Sequence, residues 1–129
     1  MNHPDQVARM SQLKSNQRVS RPFGQHTNKK SYYALEDKIV KWHYDRNLIE
    51  GSTDKDQLLK LIQEVGELSD HICKGVDISD DVGDCLVVLI NICERNGLLL
   101  TECLAKAWDD IKDRKGEMRD GIFVKEADL

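Results

Sequence analysis

The stretch Leu61–Ile90, LIQEVGELSDHICKGVDISDDVGDCLVVLI, decides how this chain folds, and it sets two acidic pairs inside two apolar segments. Glu64 and Glu67 form the first pair, Asp81 and Asp84 the second, each spaced i, i+3. Residues three apart share a helix face. The apolar positions keep the same period. Leu58, Leu61, Ile62, Val65, Leu68 and Ile72 form the expected core face of a helix from about Asp54 to Cys73, closed by Gly75. Ser79 is the expected N-cap of the next helix, with Asp80 and Asp81 in its first turn, where the helix dipole favours negative charge. That helix runs through Val82, Leu86, Leu89 and Cys93 to about Arg95.

Outward from this pair the pattern stays helical. Between Tyr32 and Arg46, Leu35, Ile39 and Trp42 recur at i, i+4, i+7. NLIEGSTDKD breaks the period, with Gly51 ending one element and Ser52 or Thr53 capping the next. RNGLLLTE is a second break, after which Thr101 caps a helix from Glu102 to about Arg114. GEMRDGIFVKEADL includes a short extended piece around Ile122–Val124. The spacing predicts an all-α four-helix bundle. Residues 1–31, with RPFGQH as punctuation, read as a polar, irregular arm that becomes ordered against another subunit, and 32–129 as one domain.

Composition narrows the class. A formal net charge of −4 argues against a general nucleic-acid binder, which needs a basic surface. No apolar run approaches the roughly 20 residues needed to span a bilayer, and the N-terminus lacks the apolar core of a secretory signal. Cys73, Cys85, Cys93 and Cys103 show no C-x-x-C spacing and read as small buried hydrophobes in a reducing compartment. The expectation is a cytoplasmic protein that contacts neither membrane nor nucleic acid.

At about 100° per residue, Glu64, Glu67 and His71 fall on one edge of their helix, flanking its apolar face. Asp81, Asp84, Val88 and Asn91 share an edge of the next. Antiparallel packing would bring the edges together, and four converging carboxylates repel unless a cation sits between them. Mg²⁺ takes oxygen ligands and keeps sites open for water and phosphate. The other reading is two solvated acidic faces. Gly66 and Gly83, one beside each pair, would allow close backbone approach.

With these residues in place, the chain resembles the MazG-like nucleoside triphosphate pyrophosphohydrolases, of the all-α superfamily that includes dimeric dUTPases, dCTP pyrophosphatases and phosphoribosyl-ATP pyrophosphatase. The family signature is E-E-x-x-E followed by E-x-x-D; QEVGEL and DDVGD occupy its halves, and the likeness runs from about Trp42 to Lys125. It implies that Glu64, Glu67, Asp81 and Asp84 ligate Mg²⁺, with Mn²⁺ as a substitute. It also implies that Asn91 lies near the nucleotide, and that Lys112, Arg114 and Lys115, in a segment similar to short phage-type members, are the cations available to a triphosphate. The sequence departs from the pattern at Gln63, where glutamate is usual, at Asp81, one methylene shorter than the usual glutamate, and at Asp109, where the family has asparagine.

The implied reaction is Mg²⁺-dependent hydrolysis of a (deoxy)nucleoside triphosphate to the monophosphate and pyrophosphate, in nucleotide-pool control. The implied setting is the cytoplasm (the host's, if the gene is phage-borne), and the implied assembly a homodimer or homotetramer. Glu64 or Glu67 would accept the proton of the attacking water. Trp42 is either the stacking surface for the base or a core anchor, with Arg46 and Asn47 placed to pair with nucleotide groups. Trp108 reads as core, and His43 and His71 as surface or outer-shell groups, since a hard cation prefers oxygen. Rival readings are a base-specific dUTPase-like or dCTPase-like enzyme, and a non-catalytic helical module with a basic partner. Kinetics on four nucleotides sort the binding residues. Arg114→Ala should weaken all about equally, whereas Asn47→Ala should reorder them, because only base contacts carry base information. A base-selective loss at Arg114 would reverse that assignment.

Overall fold

The computed structural model describes residues 29–129. Four helices come first: α1 over Lys29–Asp45, α2 over Asp54–Lys74, α3 over Ser79–Arg95 and α4 over Leu100–Ile111. An antiparallel hairpin follows, β1 (Gly116–Arg119) with β2 (Ile122–Lys125), and then a single turn of 3₁₀ helix over Glu126–Asp128. Among the described residues the fold is all-α apart from this hairpin. The proposed arm lies outside the described residues except at its end, where α1 begins at Lys29. Among the described residues no helix is long and apolar enough to cross a membrane.

Caps set both ends of α2. Thr53 Oγ1 accepts from the Asp56 amide at 3.1 Å, and Asp56 Oδ2 accepts from the Thr53 amide at 3.0 Å. This reciprocal box supplies about 1 kcal/mol. Gly75 ends α2 in the left-handed region at φ 68°, which only glycine enters without strain. Ser79, expected as an N-cap, is instead the first residue of α3, after Ile78. Its amide and hydroxyl both donate to Asp77 Oδ1, at 3.0 and 2.7 Å. Thr101 likewise sits inside α4, whose N-cap is Leu99 and which ends at Ile111, short of the expected Arg114.

The chain divides into two compact units, one through Gly97 and one from Leu98. In the first, α3 packs against both α1 and α2. Tyr44 donates to Glu94 at 2.7 Å, and Arg95 pairs with Asp54 at 2.9 Å, joining α3 to its neighbours. The second holds α4 and the hairpin, whose two-residue turn is Asp120–Gly121, both with positive φ, joining the Arg119–Ile122 pair. Asp-Gly is a favoured sequence for such a turn.

The expected apolar faces are corrected here. Leu58, Ile62, Val65 and Ile72 are 47–59 % exposed, while the buried residues of α2 are Gln57 and Glu64. On α1 the buried positions are Glu36 and His43, not Leu35 or Trp42. Trp108, expected in the core, is 59 % exposed. The residues buried around α3 are therefore a mixture of polar (Glu36, His43, Gln57, Glu64, Asp81, Asn91) and apolar (Ile49, Val88, Ile90, Cys93). Of the four free cysteines only Cys93 is buried, and Cys73 is exposed. A Cβ at Gly66 or Gly83 would meet nothing within 4 Å, so neither glycine serves a close approach within the chain.

Candidate metal centre and adjoining cavity

Gln57, Lys60, Glu64, Glu67 and His71 follow one another at alternating spacings of three and four along α2. That spacing keeps them on one stripe, and its buried members turn toward α3. One ligand oxygen each from Glu64, Glu67 and Asp84 lie within 4.8 Å of one another. Glu64 is buried, and its Oε2 is enclosed without a hydrogen-bond partner, while Lys60 Nζ stands 3.1 Å from Oε1. Leaving a buried carboxylate oxygen unpaired costs free energy, and a cation would remove that cost.

The electrostatics point the same way. The neighbouring Glu64 charge pushes the Glu67 carboxyl above the ordinary glutamate range. Asp84 is raised first by burial and then by Asp80, Glu64 and Asp81. Burial, with Glu64, Asp84 and Asp81 nearby, also raises the Cys85 thiol, which disfavours its reactive thiolate. Mutual repulsion, an all-oxygen donor set and an orphaned inward oxygen fit a hard divalent cation such as Mg²⁺.

Asp81 stands apart from this trio. It is buried, and both its oxygens lie within hydrogen-bond reach of His71 Nδ1, at 2.8 and 2.9 Å. Its charge still reaches Glu67 and Asp84. His71 is thus partner to a carboxylate of the second acidic pair.

A cavity of about 360 Å³ opens beside the trio, lined by Trp42 and His43 of α1, Leu48, Gln57, Lys60 and Glu64 of α2, and Asp84, Val87 and Val88 of α3. Its volume is in the range of small-molecule sites. Trp42 is 45 % exposed and lines this cavity, so it is not a core anchor. Arg46 stacks its guanidinium 4.2 Å from the Trp42 ring centre and donates to the Trp42 carbonyl at 3.2 Å. Neither Arg46 nor Asn47 lines the cavity. Asn47 sits in the turn after α1 at φ 56°, and a Cβ on Gly51 would stand 2.3 Å from its side-chain nitrogen.

Asn91 is fully buried, and its amide nitrogen reaches the Leu48 carbonyl at 3.0 Å and His43 Nδ1 at 3.1 Å. On the other side of the ring, His43 Nε2 donates to the Val87 carbonyl at 3.0 Å. A carbonyl can only accept, so Nε2 carries the proton and Nδ1 accepts from Asn91. Asn91 thus holds the ring that forms part of the cavity wall. Burial depresses the His43 pKa, an effect only partly offset by the Val87 bond. A depressed base contributes stability above the unfolded value of about 6.5, lost as pH falls through the folded value. The ring signals of His43 by NMR should therefore keep their neutral shifts below about pH 6.5; titration at the free-imidazole value would contradict this network.

Lys112, Arg114 and Lys115 lie in the second unit. Lys112 is paired with Asp109 at 3.2 Å. Sequence reading missed Gln57 and Lys60, although both lie on the stripe that carries Glu64 and Glu67, and it placed His43 nearer the surface.

Sixty residues, 45 % of this chain, align at 42 % identity with an uncharacterized 18.2 kDa protein in the rep-hol intergenic region of Haemophilus phage HP1. The matched segment spans only 37 % of that relative's length. No family model and no solved structure matches the chain.

Proposed function

We propose that the protein is a Mg²⁺-dependent nucleoside triphosphate pyrophosphohydrolase, in line with the resemblance carried by QEVGEL and DDVGD. The observation that carries this reading is the convergence of Glu64, Glu67 and Asp84, with Glu64 and Asp84 also lining a cavity walled by Trp42. Carboxylates beside an aromatic wall suit a ligand with a metal-bound phosphate end and a planar end that stacks.

Glu64, Glu67 and Asp84 would hold the cation, with Asp81 available on release from His71. A bound divalent cation supplies phosphate charge neutralisation and Lewis acidity. The water oxygen forms a bond to the α-phosphorus as the bond from that phosphorus to the α–β bridging oxygen breaks, and pyrophosphate departs. The water's proton passes to a carboxylate. Glu67 suits this better than Glu64, because its side chain is exposed and one of its two oxygens can stay free of the cation to accept the proton. The inward oxygen of Glu64 suits ligation.

Incubating the protein with a panel of ribo- and deoxynucleoside triphosphates, with and without Mg²⁺, tests the reading. Monophosphate and pyrophosphate should appear in equal amounts, only with the metal. Diphosphate and orthophosphate, or no turnover of any nucleotide, would count against it. The same panel reports whether the enzyme is dUTPase-like or dCTPase-like.

A further inference from the structure

Three of the i, i+4 ion pairs along the helices look alike in sequence but not in setting. In Lys41–Asp45 and Lys74–Asp70 both side chains are more than half exposed, at 75 % and 53 %, and 63 % and 54 %. Such pairs contribute little and are screened by salt. In Lys60–Glu64 the lysine is 48 % exposed but the carboxylate only 10 %. Lys60 also lines the cavity, and its charge opposes the upward pull on both Glu67 and Asp84. A single ammonium therefore serves three repelling carboxylates.

We propose that Lys60 is the resident counter-cation of the carboxylate trio, that it yields Glu64 to an incoming divalent cation, and that it then contacts the substrate's phosphates. The last step rests on the nucleotide reading above; the first two rest on the ion pair and the cavity alone. Lysine suits the exchange, since it is a compact charge on a flexible four-carbon stem. From one turn before Glu64 it can leave Oε1 and remain in the cavity, where an anion bound to the metal would need charge that the trio lacks. It is a positioning residue for Glu64 while the metal is absent, and a substrate contact afterwards.

The two roles predict effects of opposite sign. Removing the charge while keeping the stem, Lys60→Met, should tighten Mn²⁺ binding by about threefold to tenfold, because a cation no longer competes for Glu64. The same change should weaken binding of inorganic triphosphate to the Mn²⁺-loaded protein by about tenfold. Lys60→Arg should stay near wild type in both. Calorimetric titration of the full chain, first with Mn²⁺ and then with inorganic triphosphate, reads both. If Lys60→Met weakens both, Lys60 is merely structural, and if it moves neither, the pair is an ordinary surface contact; either overturns the proposal. Wild-type protein that binds Mn²⁺ while Lys60→Met is unchanged removes only this proposal. Wild-type protein that binds no Mn²⁺ removes the metal centre as well.

Discussion

Glu67→Ala and Asp84→Ala are each expected to lower pyrophosphate release on the order of a hundredfold or more, while the metal-free variants melt above the wild type. The first effect follows from removing a ligand oxygen, which costs at least as much as loss of an outer-shell partner. The second follows from repulsion. Glu67 titrates high because of Glu64, and Asp84 because of burial and three acidic neighbours. For an acid whose folded pKa is raised, the stabilising share is present below the ordinary value of about 4 and is lost as pH rises through the raised value. Glu67→Gln and Asp84→Asn should therefore gain more in melting temperature at neutral pH than at acid pH, with EDTA present. Saturating Mg²⁺ should reverse the order by stabilising the wild type alone. Unchanged turnover in both alanine variants would remove the site assignment, and an unchanged melting temperature would remove the repulsion.

Self-association is the second large effect. Leu58, Ile62, Val65 and Ile72 form an exposed row on α2, with Leu61 and Leu68 half-buried beside them. Leu58, Leu61, Val65, Leu68 and Ile72 alternate by three and four, the spacing of a seam that meets another helix. Covering each half-exposed side chain would contribute about 1 kcal/mol. The homodimer or homotetramer implied by the resemblance would give this row a partner, and the double substitution Leu58→Asp with Val65→Asp should then yield a monomer. Sedimentation across a wide concentration range checks it. A wild type that stays monomeric throughout would contradict the assembly.

How much of this was legible in the sequence depends on which physical cue each feature uses. The bounds of α2 and α3 were readable because Thr53, Gly75 and the acidic first turn act locally. The inward faces were not. An amphipathic stripe marks the side that leaves water, and on α2 the apolar stripe remains open within the chain while Gln57 and Glu64 are enclosed. Nothing in Leu58 or Val65 says whether the covering surface belongs to the same chain. The polar stripe was nonetheless visible as Gln57, Lys60, Glu64, Glu67 and His71, and extending the acidic pair toward the N-terminus would have found Lys60. Asp81 escaped differently, because its pairing with His71 depends on how the turn at Gly75 aligns the helices. The hairpin was half legible: Asp120–Gly121 is a turn signal, but strands of four residues leave little alternation on either side.

The central claim is that water, activated at the Glu64, Glu67 and Asp84 centre, attacks the α-phosphorus. Hydrolysis in water labelled with heavy oxygen, followed by mass spectrometry of both products, tests it most directly. The label should enter the nucleoside monophosphate alone, in the presence of Mg²⁺ and with wild-type but not Glu67→Ala protein. Label in the pyrophosphate, or equal incorporation by the Glu67→Ala variant, would contradict the account.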